Sequence, residues 1–212
     1  MASIVPAGLE KWGRRSFSED SALWKNGPRA CPPKMTPDPV NVPQSVWSQY
    51  IYQALKQANV GQVAYVPDAG HKSLIESCHA DSAITTVALT TEEEGVAMSA
   101  GAWLGGVRAA VLMQSSGVGN CINMLSLAEE CRFPLLMIVT MRGEWGETNP
   151  WQVPMGHTSA RVLELAGMIV YQVDDAARLG AEVEMAAQMA FVSNRAVAVL
   201  IGQRLIGAKR FE

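Results

Sequence analysis

The sequence predicts an α/β fold: a doubly wound, about six-stranded parallel sheet with helices on both faces. Two observations predict it. Short apolar, β-branched runs alternate with longer helical segments along the chain, which is the signature of βαβ units. The runs are apolar throughout, as strands buried on both faces are. No repeat at solenoid periods competes with this reading.

Each element has its own signal. Pro43 opens a helix over about 44–58, in which Val46, Trp47, Tyr50, Ile51 and Leu55 recur at helical spacing, and Gly61 ends it. Residues 63–66 form a short buried strand stopped by Pro67-Asp68-Ala69-Gly70, and a helix covers about 72–78. Residues 84–89 read as a buried strand. It leads into Thr90-Thr91-Glu92-Glu93-Glu94-Gly95, which begins a tightly packed helix to about Leu104. Gly105-Gly106 turn the chain into a strand over 109–113. The stretch 114–120 reads as a glycine-bearing turn before a helix to about 130, and Pro134 starts a strand over 135–141. A long polar loop spans 142–157, Thr158 caps a short helix to about 165, and 168–173 is a strand. Asp174-Asp175 cap a helix to about 191, and 196–201 is the last strand.

Residues 1–43 lack periodicity and carry Pro32, Pro33, Pro37, Pro39 and Pro43. They read as an extended arm, with the folded domain at 44–212. Trp12 and Trp24 would be costly to leave in water, which favours docking on the surface or on a partner.

Bulk composition narrows the function. A chain of 212 residues suits one well-buried core and is short for two. Only 17% of residues are charged, against about 25% in ordinary globular chains, so apolar surface is left for a partner to cover. Net charge is -3 with no basic run, which argues against nucleic acid. Cys31, Cys78, Cys121 and Cys131 make no CxxC pair, and only three histidines are present. A zinc site is disfavoured, no metal ligand is assigned to this chain, and free thiols in a reducing compartment are expected. No apolar run approaches the roughly 18 residues of a membrane span, and the N-terminus lacks a secretory core. The expectation is a cytoplasmic protein with no membrane partner.

Chemistry concentrates at strand-to-helix junctions, where open α/β sheets bind ligands. Acids in a first helical turn complement the helix dipole, so Glu92, Glu93 and Glu94 have an ordinary structural explanation. Three in a row exceed what a cap needs, and the one nearest the strand is directed into the cleft. Ser116-Gly117-Val118-Gly119-Asn120 resembles a dinucleotide fingerprint, but its third glycine would fall at Ile122 and no acid ends a following strand. Its glycines still permit close backbone approach to a ligand, or simply a tight turn. His71, Lys72 and Arg142 follow strands and would suit an anionic substrate if they converge on one rim. His79 reads as lying on a solvated loop. No GxSxG elbow or activated cysteine context is present.

Taken in order, Val66-Pro67-Asp68, Glu92 through Ala97, Gly101, Met113 through Asn120 and Arg142-Gly143-Glu144 form a set. It resembles the pyrimidine-binding domain of thiamine-diphosphate-dependent 2-keto acid decarboxylases, as in sulfopyruvate decarboxylase α subunits and phosphonopyruvate decarboxylases. The resemblance covers about residues 44–205. It implies that Glu92 is the catalytic glutamate that hydrogen-bonds the coenzyme's pyrimidine, with Gln114, Ser115, Ser116, Gly117 and Asn120 lining the coenzyme site. It makes Asp68, His71 and Arg142 the candidates on the substrate side. Such enzymes hold the diphosphate through Mg2+ with a Gly-Asp-Gly sequence and a downstream Asn, and no Gly-Asp-Gly occurs here. The resemblance therefore implies a β subunit that supplies this half of the site, in a hetero-oligomer with two or more copies of each chain. The expected activity is decarboxylation of a small anionic 2-keto acid such as 3-sulfopyruvate to an aldehyde. A carboligase, or a non-catalytic regulatory subunit, are the alternatives.

Overall fold

The computed structural model describes residues 42–208, so all but two residues of the expected arm lie outside the described part. Alternation of strand and helix is realised as α1 (Gln44–Gln57), β1 (Val60–Tyr65), α2 (Lys72–Ala80), β2 (Thr85–Ala88), α3 (Glu92–Leu104), β3 (Arg108–Gln114), α4 (Ser115–Cys121), α5 (Leu125–Cys131), β4 (Leu135–Thr140), α6 (Val153–Leu165), β5 (Ile169–Val173), α7 (Ala176–Phe191), β6 (Ala196–Ile201) and α8 (Gln203–Ile206). The six strands form one sheet in the order β2-β1-β3-β4-β6-β5. Every pair is parallel.

Helices cover both faces because the central strands are apolar on both. On one face Trp47, Ile51 and Leu55 of α1, Leu74 of α2, and Leu179 and Val183 of α7 pack on Ala110, Leu112, Leu136 and Ile138. On the other, Val96 of α3, Val118 and Cys121 of α4, Leu125 of α5 and Leu163 of α6 pack on Val111, Met113, Leu135 and Met137. Each large apolar side chain fully buried this way contributes about 1.5–3 kcal/mol. From β1 the chain winds first to β2, then back across to β3 and onward. The winding therefore reverses between β1 and β3, and their C-terminal ends flank the crevice that such a switch point opens.

Four local expectations change. Residues 84–89 were expected as a buried strand, but β2 is a sheet edge with Thr85 and Ala88 exposed; only Ile84 and Leu89 at its two ends are buried. Gly61 does not end α1: Asn59 adopts φ +53 and turns the chain, and Gly61 lies inside β1. The 114–120 turn is helix from Ser115 onward. Thr158 caps nothing, because α6 begins at Val153 with Pro154 in its first turn. Proline is tolerated there, since the N–H it lacks would have no intrahelical acceptor. No helix among the described residues is long and apolar enough to cross a membrane.

Candidate active site

The three acids of α3 divide their work. Glu94 accepts hydrogen bonds from the Thr90 backbone N–H (3.0 Å) and hydroxyl (2.6 Å), and these hold its carboxyl below the usual range. Glu93 accepts from the Thr91 hydroxyl. Both satisfy the chain entering the helix, as acids in a first turn do. Glu92, the first helical residue, is turned inward and only 8% exposed.

What receives Glu92 is α4. Asn120 Nδ2 donates to Glu92 Oε2 at 2.7 Å. One helical turn earlier, Gly117 lies so close that a Cβ on it would sit 2.5 Å from Glu92 Cδ and Oε1. Close approach is thus the use of this glycine. At neighbouring Gly119 a Cβ would stand 3.4 Å from Met155 Sδ of α6, an ordinary packing distance. Glu92 Oε1 has no hydrogen-bond partner among the described residues. One oxygen is fixed and the other is available, a donor-acceptor arrangement that fits a protonated ring nitrogen. Cys121, beside this carboxylate, is a buried thiol with its pKa pushed up to about 12 by burial first and the fields of Glu92 and Glu93 second. It is a packing group and not a nucleophile.

A second polar cluster occupies the ends of β1, β3 and β4. Asp68 accepts from Gln114 Nε2 (3.2 Å) on one oxygen and from the Thr140 hydroxyl (2.6 Å) on the other. Ser116 in turn donates to Gln114 Oε1 at 3.0 Å. Gly70 is required beneath: a Cβ there would meet Asp68 Oδ2 at 2.8 Å and Thr140 Cγ2 at 2.9 Å. Asp68, Gly70, Thr140 and Arg142 line a cavity of about 180 Å3, closed by Gln44 and residues 206–208.

Arg142 does not stand free on this rim. It is 8% exposed, and its Nε and Nη2 donate to both oxygens of Glu147 at 2.7 and 2.8 Å. Arg142 is the main cause that holds the Glu147 carboxyl at a pKa of about 2. A depressed carboxylate stabilises the fold above the unfolded value and loses that contribution as pH falls through the folded one. The window here runs from 4.5 down to about 2, and the displacement corresponds to roughly 3 kcal/mol. Glu147→Gln should therefore lower the urea midpoint at pH 7 and flatten its decline between pH 4.5 and 3. Equal acid sensitivity in variant and parent would contradict this.

Some expected residues act indirectly. The Ser115 hydroxyl donates to the Arg142 carbonyl (3.3 Å) and accepts from the Arg142 N–H (3.1 Å), so it ties α4 to the end of β4. His71, expected on the rim, is fully buried. Its Nε2 donates toward the Met113 and Ile138 carbonyls at 3.2 and 3.1 Å, while Nδ1 has no partner. Burial lowers its pKa and keeps it neutral. It joins β3 to β4 under the cavity and offers no charge to it. His79 is not on a loop: it lies in the last turn of α2, with its ring bonded to Tyr65 (2.7 Å) and Thr86 (2.8 Å). Lys72 points outward, with its side chain 71% exposed. Sequence reasoning missed Thr140, Glu147 and Gln203. For Glu147 a signal existed, a carboxylate five residues after Arg142 in a loop bent by Gly143 and Gly146.

Comparison with known proteins gives the family and the fold. Residues 46–161 match the family described as Thiamine pyrophosphate enzyme, N-terminal TPP binding domain. The chain is 38% identical over 123 residues to sulfopyruvate decarboxylase subunit alpha of Methanocaldococcus jannaschii, covering 58% of this chain and 73% of that one. It is 40% identical over 119 residues to the protein of the same name from Methanothermobacter thermautotrophicus, covering 56% and 72%. Phosphonopyruvate decarboxylase of Streptomyces viridochromogenes is 39% identical over 111 residues, but the match spans only 28% of its length. A 2-oxoglutarate:ferredoxin oxidoreductase from Magnetococcus marinus superposes with a TM-score of 0.60 at 16% identity, over 76% of this chain and 29% of that one, and shares the fold. The inward glutamate at the head of α3 thus lies within the matched segment, and the chain belongs to the thiamine pyrophosphate enzymes, whose N-terminal TPP-binding domain it carries.

Proposed function

We propose that this chain is the α subunit of a two-subunit thiamine-diphosphate-dependent decarboxylase that releases CO2 and an aldehyde from a small anionic 2-keto acid of the 3-sulfopyruvate type. The observation that carries the reading is Glu92, a single inward carboxylate held by Asn120 against a glycine that leaves it room. The relatives named for such an activity supply the substrate class.

When bound, the coenzyme supplies the carbon nucleophile and the electron sink for loss of CO2. The residues of this chain bind, orient and move protons. With the coenzyme bound, Glu92 would face its pyrimidine ring and hold or return a proton at the free Oε1. Asn120 fixes the carboxylate's orientation, and Gly117 keeps the space beside it open. Gln114 and Ser116 continue the polar lining toward Asp68. Asp68 and Arg142 face the cavity on the substrate side. Ser115 and His71 set the positions of those strand ends.

The diphosphate and Mg2+ ligands belong to a β subunit with Gly-Asp-Gly and a downstream Asn, assembled with this chain as a hetero-oligomer in the cytoplasm. The test is co-purification with such a product, expected at roughly 190 residues from domain-size logic. An assay of CO2 and aldehyde release over a panel of 2-keto acids follows. The reading expects activity from the pair on a substrate with a second anionic group and none from either chain alone. Full activity of this chain unaccompanied, or an assembled pair that releases no CO2, would overturn it.

A further inference from the structure

We propose that Gln203 is a positioning residue that locks the two walls of the substrate-side cavity together and sets which edge of Arg142 a ligand meets. The inference rests on the proposed function for the identity of that ligand, the anionic end of a 2-keto acid.

Gln203 opens α8 and has no exposed surface. Its backbone N–H donates to Glu144 Oε2 at 3.0 Å. Its side-chain oxygen accepts from the backbone N–H groups of Glu144 (2.9 Å) and Trp145 (3.0 Å). Its Nε2 donates to Glu147 Oε2 at 3.0 Å. One buried amide thus grips the segment after β4 at three residues. A buried amide paired through both its oxygen and its nitrogen favours one arrangement, because a slip leaves a buried polar group unpaired.

The grip transmits directly to the cavity. Glu147 receives Gln203 on one side and Arg142 Nε and Nη2 on the other, with the Gly143 and Asn149 N–H groups completing its shell. Arg142 Nη1 alone of the guanidinium nitrogens has no hydrogen bond among the described residues. Its two N–H groups, with the second N–H of Nη2 beside them, are the donors left for a ligand. Just beyond Gln203, residues 206–208 line the same cavity. Because Glu147 balances the charge of Arg142, recognition there depends on a directed hydrogen bond, and so on where that nitrogen is held.

The test uses the assembled complex with Gln203→Ala and, separately, the near-isosteric Gln203→Glu, which keeps the acceptor for residues 144 and 145 but replaces the donor to Glu147 with a second carboxylate facing it. Both should raise KM for the anionic 2-keto acid by about tenfold while kcat changes less than about twofold, the pattern of lost ground-state positioning. Thiamine diphosphate affinity should stay unchanged. Amide exchange at Glu144 and Trp145 should quicken in Gln203→Ala. Lower thermal stability with unchanged KM and exchange would overturn the inference and leave the proposed function standing. A parent complex inert toward every 2-keto acid would remove the proposed ligand; amide exchange would then still judge the coupling by itself.

Discussion

Glu92→Gln should fold, bind its partner chain and lose turnover by on the order of 10³-fold, within the range that positioned proton transfer contributes. The replacement is nearly isosteric, so the space beside Gly117 is still filled. An amide oxygen can also keep the bond from Asn120 Nδ2, now 2.7 Å to Glu92 Oε2. What disappears is the group able to hold and return a proton at Oε1. Steady-state kinetics of the complex should show kcat falling while circular dichroism and subunit stoichiometry stay put. Near-parental turnover would reject Glu92 as the catalytic acid.

Gly117→Ala should cost activity far more than stability. The new methyl group would stand 2.5 Å from Glu92 Cγ, Cδ and Oε1, closer than side-chain carbons approach one another, so something must move. What must yield is a buried side chain, met at Cγ and Cδ as well as Oε1 and tied to Asn120, so yielding costs stability. Alanine's advantage over glycine within a helix, about 1 kcal/mol, offsets part of that cost. The expected outcome is a modestly lower melting temperature with turnover reduced by roughly 10²-fold, since small misplacements of reacting groups carry penalties of that size. A variant that keeps full activity would mean that the observed position of Glu92 is not the working one.

Much of this was legible in the chain itself. The alternation of apolar runs and helical segments led directly to a parallel sheet, because buried central strands such as β3 and β4 have no polar face to disguise their period. The acidic run showed where Glu92 would be, because two of its three acids are enough to serve the helix start. The errors have a common cause. Glycine and proline read as punctuation in the sequence, yet Gly117 and Gly70 are explained by what approaches them. Pro154 sits in a first helical turn that accepts it. Rim residues misled for a related reason. Arg142 and His71 do follow strands, but nothing local reveals that one meets Glu147 and that the other is buried between strand carbonyls 42 and 67 positions downstream. Pairings across the crevice are set by topology, and Gln203 reaches 59 positions back to bind Glu144.

The packing of α1 on α7 carries a further consequence for biosynthesis. Trp47, Ile51 and Leu55 share one cluster with Leu179 and Val183, so the ribosome must add more than a hundred residues before α1 meets α7. At about 5–20 residues per second that is a wait of roughly ten seconds, during which the part of this tryptophan-bearing apolar stripe that α7 covers lacks that cover. Nascent chains paused between the two helices should be the species that chaperones capture.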